Sequence, residues 1–271
     1  MSGWIANARM YAVSPEAEAA WQSLLEHVAR DAGVPLRYEP YPAPQPLEPL
    51  WSRTDLGAVF MCGFPVALRL AQVMPIAAPI PCAGWADGRA VYRSNLIVRR
   101  DAPYQKLEDS FGARAGYTVA HSQSGFNAFR HQLLKYRSAA RPNLYASMTG
   151  NLLTARAVLD GVLARLIDIG PLDAYWHHLL ERHKPELTAG VRVLATTELT
   201  PIPALVAAAG APADMIASLR AAFLSAARQP WFESFRGPLQ IDGFAGVTAA
   251  DYAPYLEWDR EAKAAGYELP A

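Results

Sequence analysis

Two hydrophobic rhythms alternate along the chain, short apolar runs and amphipathic stretches repeating near every 3.6 residues. Trp4 to Tyr11 reads as a strand. Ser14 then caps a helix, with Pro15 at its first position. Trp21, Leu24, Leu25 and Val28 follow at helical spacing, and Gly33 stops the helix. Pro35 to Tyr41 reads as a second strand, and the proline-rich Tyr41-Pro-Ala-Pro-Gln-Pro as a loop. Leu56 to Met61 is an unbroken apolar run suited to a buried strand. It ends at Cys62-Gly63-Phe64, and a helix follows through Ala67, Leu70 and Ala71. Met74 to Cys82 is extended, and Val91 to Val98 is a long strand.

The alternation continues. Gly116 to Ala120 reads as a strand running into His121-Ser-Gln-Ser-Gly-Phe-Asn127 and a helix through Phe129, Leu133 and Leu134. Helices are predicted over Asn151–Leu163, Leu172–His183 and Ala213–Arg228. The last has Ile216, Leu219, Phe223 and Leu224 on one face. Leu166–Gly170, Val191–Ala195 and Pro203–Ala209 read as strands. Strands alternating with helices predict mostly parallel sheets with helices on both faces. Ligands of such sheets bind outside the carboxyl ends of strands.

Four strand ends are therefore the places to look. The first is Asn7-Ala8-Arg9-Met10-Tyr11, where Arg9 can pair with a ligand carboxylate or phosphate or act as a plain surface arginine. The second is Cys62-Gly63-Phe64. At the third, Ser122, Gln123 and Ser124 precede Gly125, Phe126 and a helix start. Free amides and hydroxyls there suit an anion or carbonyl oxygen. The competing reading is that a serine only caps the helix. At the fourth, Asp173 accepts a ligand donor or simply stabilises a helix N-terminus. Tyr11, Phe64, Tyr92, Phe126 and Tyr175 are candidates for an apolar lining or for core.

Composition narrows the classes. The 271 residues suffice for two lobes of ~100–150 residues each. Apolar residues are 52% and charged residues 18%, enough for a full core. Net charge is zero with no basic stripe, so no nucleic-acid partner is implied. No apolar run reaches the ~18 residues of a membrane span. The first residues lack the charged and apolar segments of a secretion leader. The chain thus reads as cytoplasmic, or as periplasmic if a leader has been removed. Cys62 and Cys82 form no CxxC pair and read as two buried thiols rather than a disulfide. No nucleotide motif is present, so no cofactor is expected. His177, His178 and His183 lie beside Glu181 without an HExxH pattern, and read as a solvated face rather than a metal site.

The ordered segments resemble the phosphate/phosphonate-type substrate-binding components of ABC transporters. The crossover is Tyr92-Arg93-Ser94, the loop is Ser122-Gln123-Ser124-Gly125-Phe126, the later helix-start segment is Thr149-Gly150-Asn151-Leu152, and the acid is Asp173. The resemblance implies an α/β, two-lobed type 2 periplasmic-binding-protein fold with two crossover strands, near Tyr92–Ser94 and Thr196–Thr200. Residues 1–92 plus 199–271 would form one lobe and 93–198 the other, closing by hinge bending. It implies ligand contacts from Asn7, Arg9, Tyr11, Phe64, Tyr92, Ser122, Gln123, Ser124, Phe126, Asn151 and Asp173. It further implies a small anionic organic ligand, an ABC permease as partner, and no enzymatic activity. Leu152 and Leu153 stand where the family carries a polar grip, which favours an organic carboxylate, aromatic or not, over a simple phosphonate. The rivals are a cytosolic enzyme on the same fold, of the menaquinone-pathway or thiamine-pyrimidine-synthase kind, and a ligand-sensing subunit.

Overall fold

The computed structural model describes residues 3–271, so the first two residues of the range 1–92 lie outside it. The strands, in chain order, are β1 Trp4–Asn7, β2 Leu36–Tyr38, β3 Leu56–Met61, β4 Val73–Pro81, β5 Val91–Tyr92, β6 Ser94–Arg99 and β7 Arg114–Gly116. They continue as β8 Ser147–Thr149, β9 Ile169–Asp173, β10 Val191–Thr196, β11 Thr200–Pro201, β12 Ala204–Ala208 and β13 Ile241–Gly246. They form a six-stranded sheet in the order β13-β4-β12-β3-β1-β2 and a five-stranded sheet in the order β10-β6-β9-β7-β8. A two-stranded ribbon, β11-β5, lies on the chain segments that pass between them. Helices flank both sheets, giving a two-lobed α/β architecture.

The helix Pro15–Ala32 shows how local sequence sets the frame. Ser14 Oγ accepts from the Ala17 amide at 3.1 Å, and Gly33 closes the helix in the left-handed region at φ 64°. Its buried face is Trp21, Leu24, Leu25 and Val28. Each such side chain contributes ~1.5–3 kcal/mol on burial. All six residues of β3 are buried, between β1 on one side and β12 on the other.

The sheets are mixed rather than mostly parallel. β1 runs parallel to β2 and β3, and β7 runs parallel to β8 and β9. The remaining ladders are antiparallel, including β12 with β3 and β4, and β6 with β9 and β10. The reason is topological: β6 and β12 each follow a passage from the other sheet and enter theirs from the far end. The first strand is also shorter than Trp4–Tyr11. Asn7 Oδ1 accepts the Arg9 amide at 2.9 Å, and this local turn diverts the chain into a 3₁₀ turn over Arg9–Tyr11. The strand expected over Gly116–Ala120 ends at Gly116, and the carbonyls of Tyr117 and Thr118 instead accept from Leu152 and Leu153. Leu224 is 40% exposed, one step round the helix Ala213–Ser225 from Phe223.

Two apolar clusters result. The larger fills the first lobe and reaches Leu172, Tyr175 and Leu179. The smaller covers the opposite face of the second sheet through Leu96, Phe129, Leu133 and Ile169, and takes in Tyr267 from the end of the chain. The last helix, Pro254–Ala264, packs on both the helix Gly63–Ala67 of the first lobe and the helix Ala128–Leu134 of the second. Gly63 permits the first contact, since a Cβ there would lie 2.2 Å from Tyr252 Cδ1 and 2.5 Å from Tyr255 Cε2.

Candidate functional site

Strand ends of the two sheets converge on one cavity of about 310 Å³. The turn after β1 contributes Arg9 and Met10, the end of β3 contributes Cys62, the segment after β7 contributes Thr118 to Gly125, and the end of β9 contributes Asp173. This is where open α/β sheets place their ligands.

Asp173 has its hydrogen bonds filled by protein. Its Oδ1 caps the helix Ala174–His183, accepting the amides of Tyr175 at 2.8 Å and Trp176 at 3.0 Å. Its Oδ2 accepts from Tyr11 Oη at 3.1 Å, a bond joining the turn after β1 to the end of β9. Burial pushes the Asp173 carboxyl up from an ordinary 3.8 to about 6, and those three donors pull against it. Burial, with Asp173 beside it, also pushes the Tyr11 phenol well above its usual range.

The segment after β7 is built the other way. Ser122 Oγ accepts the Gly125 amide at 3.0 Å, and Gln123–Asn127 winds as a π-turn with the Asn127 amide on Ser122 O at 2.9 Å. The Gln123 amide points to Cys62 Sγ at 3.3 Å, tying this loop to the first sheet. Ser94 Oγ donates to Ser124 O at 2.8 Å. Thr118 lines the cavity, and its Oγ1 is buried with no hydrogen-bond partner among the described residues. Gly125 is required beside it, because a Cβ there would lie 2.0 Å from that oxygen. A buried unpartnered hydroxyl is uncommon and calls for an explanation.

The remaining wall is largely apolar: Leu47, Trp51, Leu153, Trp176 and Leu180. Leu153 holds a left-handed backbone at φ 65°, secured by its amide on Thr118 O at 3.2 Å. Strain of this kind gathers at functional sites. At the rim His121 Nε2 meets Glu48 Oε1 at 2.6 Å, and Arg156 pairs with Asp160 at 2.8 Å. Arg9 Nη1 donates to Gln45 O, with its guanidinium 5.5 Å from the Tyr41 ring centre.

The family model for the ABC transporter, phosphonate, periplasmic substrate-binding protein matches residues 11–252. The chain belongs to this family. The phosphonate-type binding-protein fold is also what the solved structures share with it. A binding-protein component of an ABC phosphonate transporter from Pseudomonas aeruginosa matches at TM-score 0.79 and 14% identity, over 98% of this chain and 88% of that one. PhnD1 from Prochlorococcus marinus, in complex with methylphosphonate, matches at TM-score 0.76 and 14% identity, over 96% and 97%. A Xanthomonas citri protein bound to ATP matches at TM-score 0.66 and 19% identity, over 98% of both chains. No curated protein matches the chain. Among the described residues, no helix is long and apolar enough to cross a membrane, and no cluster of three or more His, Cys, Asp or Glu side chains could hold a metal ion.

Within this phosphonate-type binding protein, Arg9, Ser122, Ser124 and Asp173 line the cavity. Cys62 and Leu153 line it too, while the other residues expected to touch ligand do not. Asn7 is buried and donates to Glu39 O at 2.7 Å. Tyr11 stands behind Asp173. Phe64 and Tyr92 are core, with Tyr92 Oη 3.8 Å from Cys62 Sγ. Gln123 is fully buried and pairs with Asn127. Phe126 packs edge-on to Tyr117. Asn151 is exposed at φ 55°. Sequence reasoning missed Thr118, Trp51 and Trp176. Trp176 carried a readable signal, lying in the first turn after the Asp173 cap. Both cysteines are free, but Cys82 is exposed rather than buried. His177 is buried, not solvated, with Nδ1 3.0 Å from Asn95 Nδ2.

Proposed function

We propose that this protein captures a small organic anion, a carboxylate or phosphonate carrying an apolar body, and presents it to an ABC permease from the periplasm. The observation that carries the reading is Thr118 Oγ1. It is a buried hydroxyl with no protein partner among the described residues, beside the Ser122–Ser124 turn, on a residue of a cavity otherwise walled by tryptophan and leucine. The hydroxyl and the turn fit an anionic head, and Trp51, Trp176 and Leu153 fit an apolar body. The cavity's volume falls at the low end of the ~300–1,000 Å³ range of small-molecule sites. The methylphosphonate complex of the Prochlorococcus marinus protein and the adipate complex of a Rhodopseudomonas palustris protein support this ligand chemistry.

On this reading residues 1–92 with 199–271, and 93–198, form two lobes that close on the ligand. The separation of the two sheets along the chain, with β5 and β11 between them, supports that division. An enzyme on this fold is disfavoured at Cys62, because burial pushes its thiol up, the reverse of an activated nucleophile.

Isothermal titration with phosphate, methylphosphonate, phenylphosphonate and benzoate tests the proposal. The organic acids with an apolar body are expected to bind more tightly than phosphate. Tight phosphate binding without binding of any organic acid overturns it.

A further inference from the structure

The turn that carries Ser122 and Ser124 is held from behind by the last segment of the chain. A π-turn is rare and needs outside support. Asn127 provides it with both ends of its side-chain amide. Nδ2 donates to Gln123 Oε1 at 2.9 Å and to Tyr255 O at 3.0 Å, and Oδ1 accepts from Arg130 Nη2 at 3.1 Å. Arg130 is a full positive charge at 2% exposure. Its Nη2 also donates to Asp259 Oδ1 at 2.5 Å, and its Nη1 donates to Glu268 O at 3.1 Å. The guanidinium lies 4.8 Å from the ring centre of Phe126, a residue of the same turn.

A buried guanidinium without a counter-ion is strongly destabilising. Asp259 is its one carboxylate partner among the described residues. Burial pushes the Asp259 carboxyl up, but Lys263 Nζ at 2.7 Å and Arg130 outweigh it and hold it below its ordinary value. Asp259 therefore stays a carboxylate at neutral pH. None of Asn127, Arg130 and Asp259 lines the cavity. Whatever they do for a ligand, they do through the turn.

We propose that Arg130 and Asp259 are positioning residues for ligand capture. Their ion pair fixes Asn127, and Asn127 holds the widened turn that presents Ser122 and Ser124 to the cavity. This deepens the reading of that turn as the seat of the ligand's anionic head, and rests on it. It also gives the C-terminal segment, far from the cavity in sequence, a part in affinity.

Amide hydrogen exchange on the unliganded full chain, read residue by residue by NMR, tests the proposal. In Asp259→Asn, exchange at the Gly125 and Asn127 amides rises at least about tenfold, while the amides of β3 stay within about twofold. The double variant Arg130→Met/Asp259→Leu removes both charges together and so preserves folding. It accelerates the same two amides. Titrated with phenylphosphonate, both variants lose at least about tenfold in affinity, while Arg260→Ala, in an exposed ion pair, binds as wild type. Exchange at Gly125 and Asn127 unchanged in both variants overturns the proposal. So does an acceleration that β3 shares equally, which would mark a general loosening. The exchange rates speak to the turn alone. A wild-type chain that binds none of the four acids speaks against the ligand reading alone.

Discussion

Asp173 and the Thr118–Ser124 segment line the same cavity, yet their hydrogen-bonding groups are disposed in opposite ways. Asp173 is saturated: two amides and a phenol occupy its oxygens. Thr118 Oγ1 has no protein partner among the described residues, and Gly125 packs closely against it. A saturated group stabilises the empty protein and is costly to disturb. An unsaturated one weakens the empty protein slightly and gains its bond when a ligand arrives. On the proposed ligand reading, the difference separates residues that hold the site from residues that grip.

The largest effect that could break this contrast is a pH response. Asp173 titrates near an ordinary 3.8 when unfolded and at about 6 when folded. A raised carboxyl contributes stability that is complete below the unfolded value and is lost as pH climbs through the folded one. The loss between pH 3 and pH 8 is on the order of 3 kcal/mol. It is read as a falling urea midpoint that Asp173→Asn flattens. An equal slope in both proteins would show that Asp173 is not the group responsible.

Next in size is Tyr11→Phe, which takes a donor from a buried carboxylate. It should destabilise by ~1.5–3 kcal/mol in urea unfolding and push Asp173 further up. Ser94→Ala removes the bond to Ser124 O and should cost ~1 kcal/mol, with weaker ligand binding because the turn loses a tether. The smallest stability effect belongs to Thr118→Val, within ~0.5 kcal/mol, because no bond is lost in the empty protein. Its ligand affinity should nonetheless fall about fivefold by calorimetry. Were Thr118→Val as destabilising as Tyr11→Phe, the contrast would fail.

Much of the frame is legible in sequence because it is local. Ser14, Pro15 and Gly33 announce one helix by cap chemistry that depends on a few adjacent residues. The six apolar residues of β3 announce a buried strand. Asp173 meets the capping half of its reading, and its residue also lines the cavity. What stayed hidden is set by distant pairings. Strand direction in β6 and β12 depends on how the chain re-enters each sheet. Tyr92 and Phe126 have the composition of a ligand wall and are core, while Trp51, from a four-residue helix behind a proline loop, faces the cavity. Arg130 reads as an ordinary helical arginine until a carboxylate 129 residues later is found against it.

That separation bears on the order in which the chain can mature. Synthesis delivers the N-terminus first. The helix Ala128–Leu134 is available once about half the chain exists, but its buried arginine then has no counter-ion. Asp259 supplies the charge, Glu268 a carbonyl, and Tyr267 the last ring of the second apolar cluster. A nascent chain short of these residues carries an unpaired charge against an unfinished core. The helix Ala128–Leu134 gains its counter-ion and the last ring of its cluster only from residues 259–268.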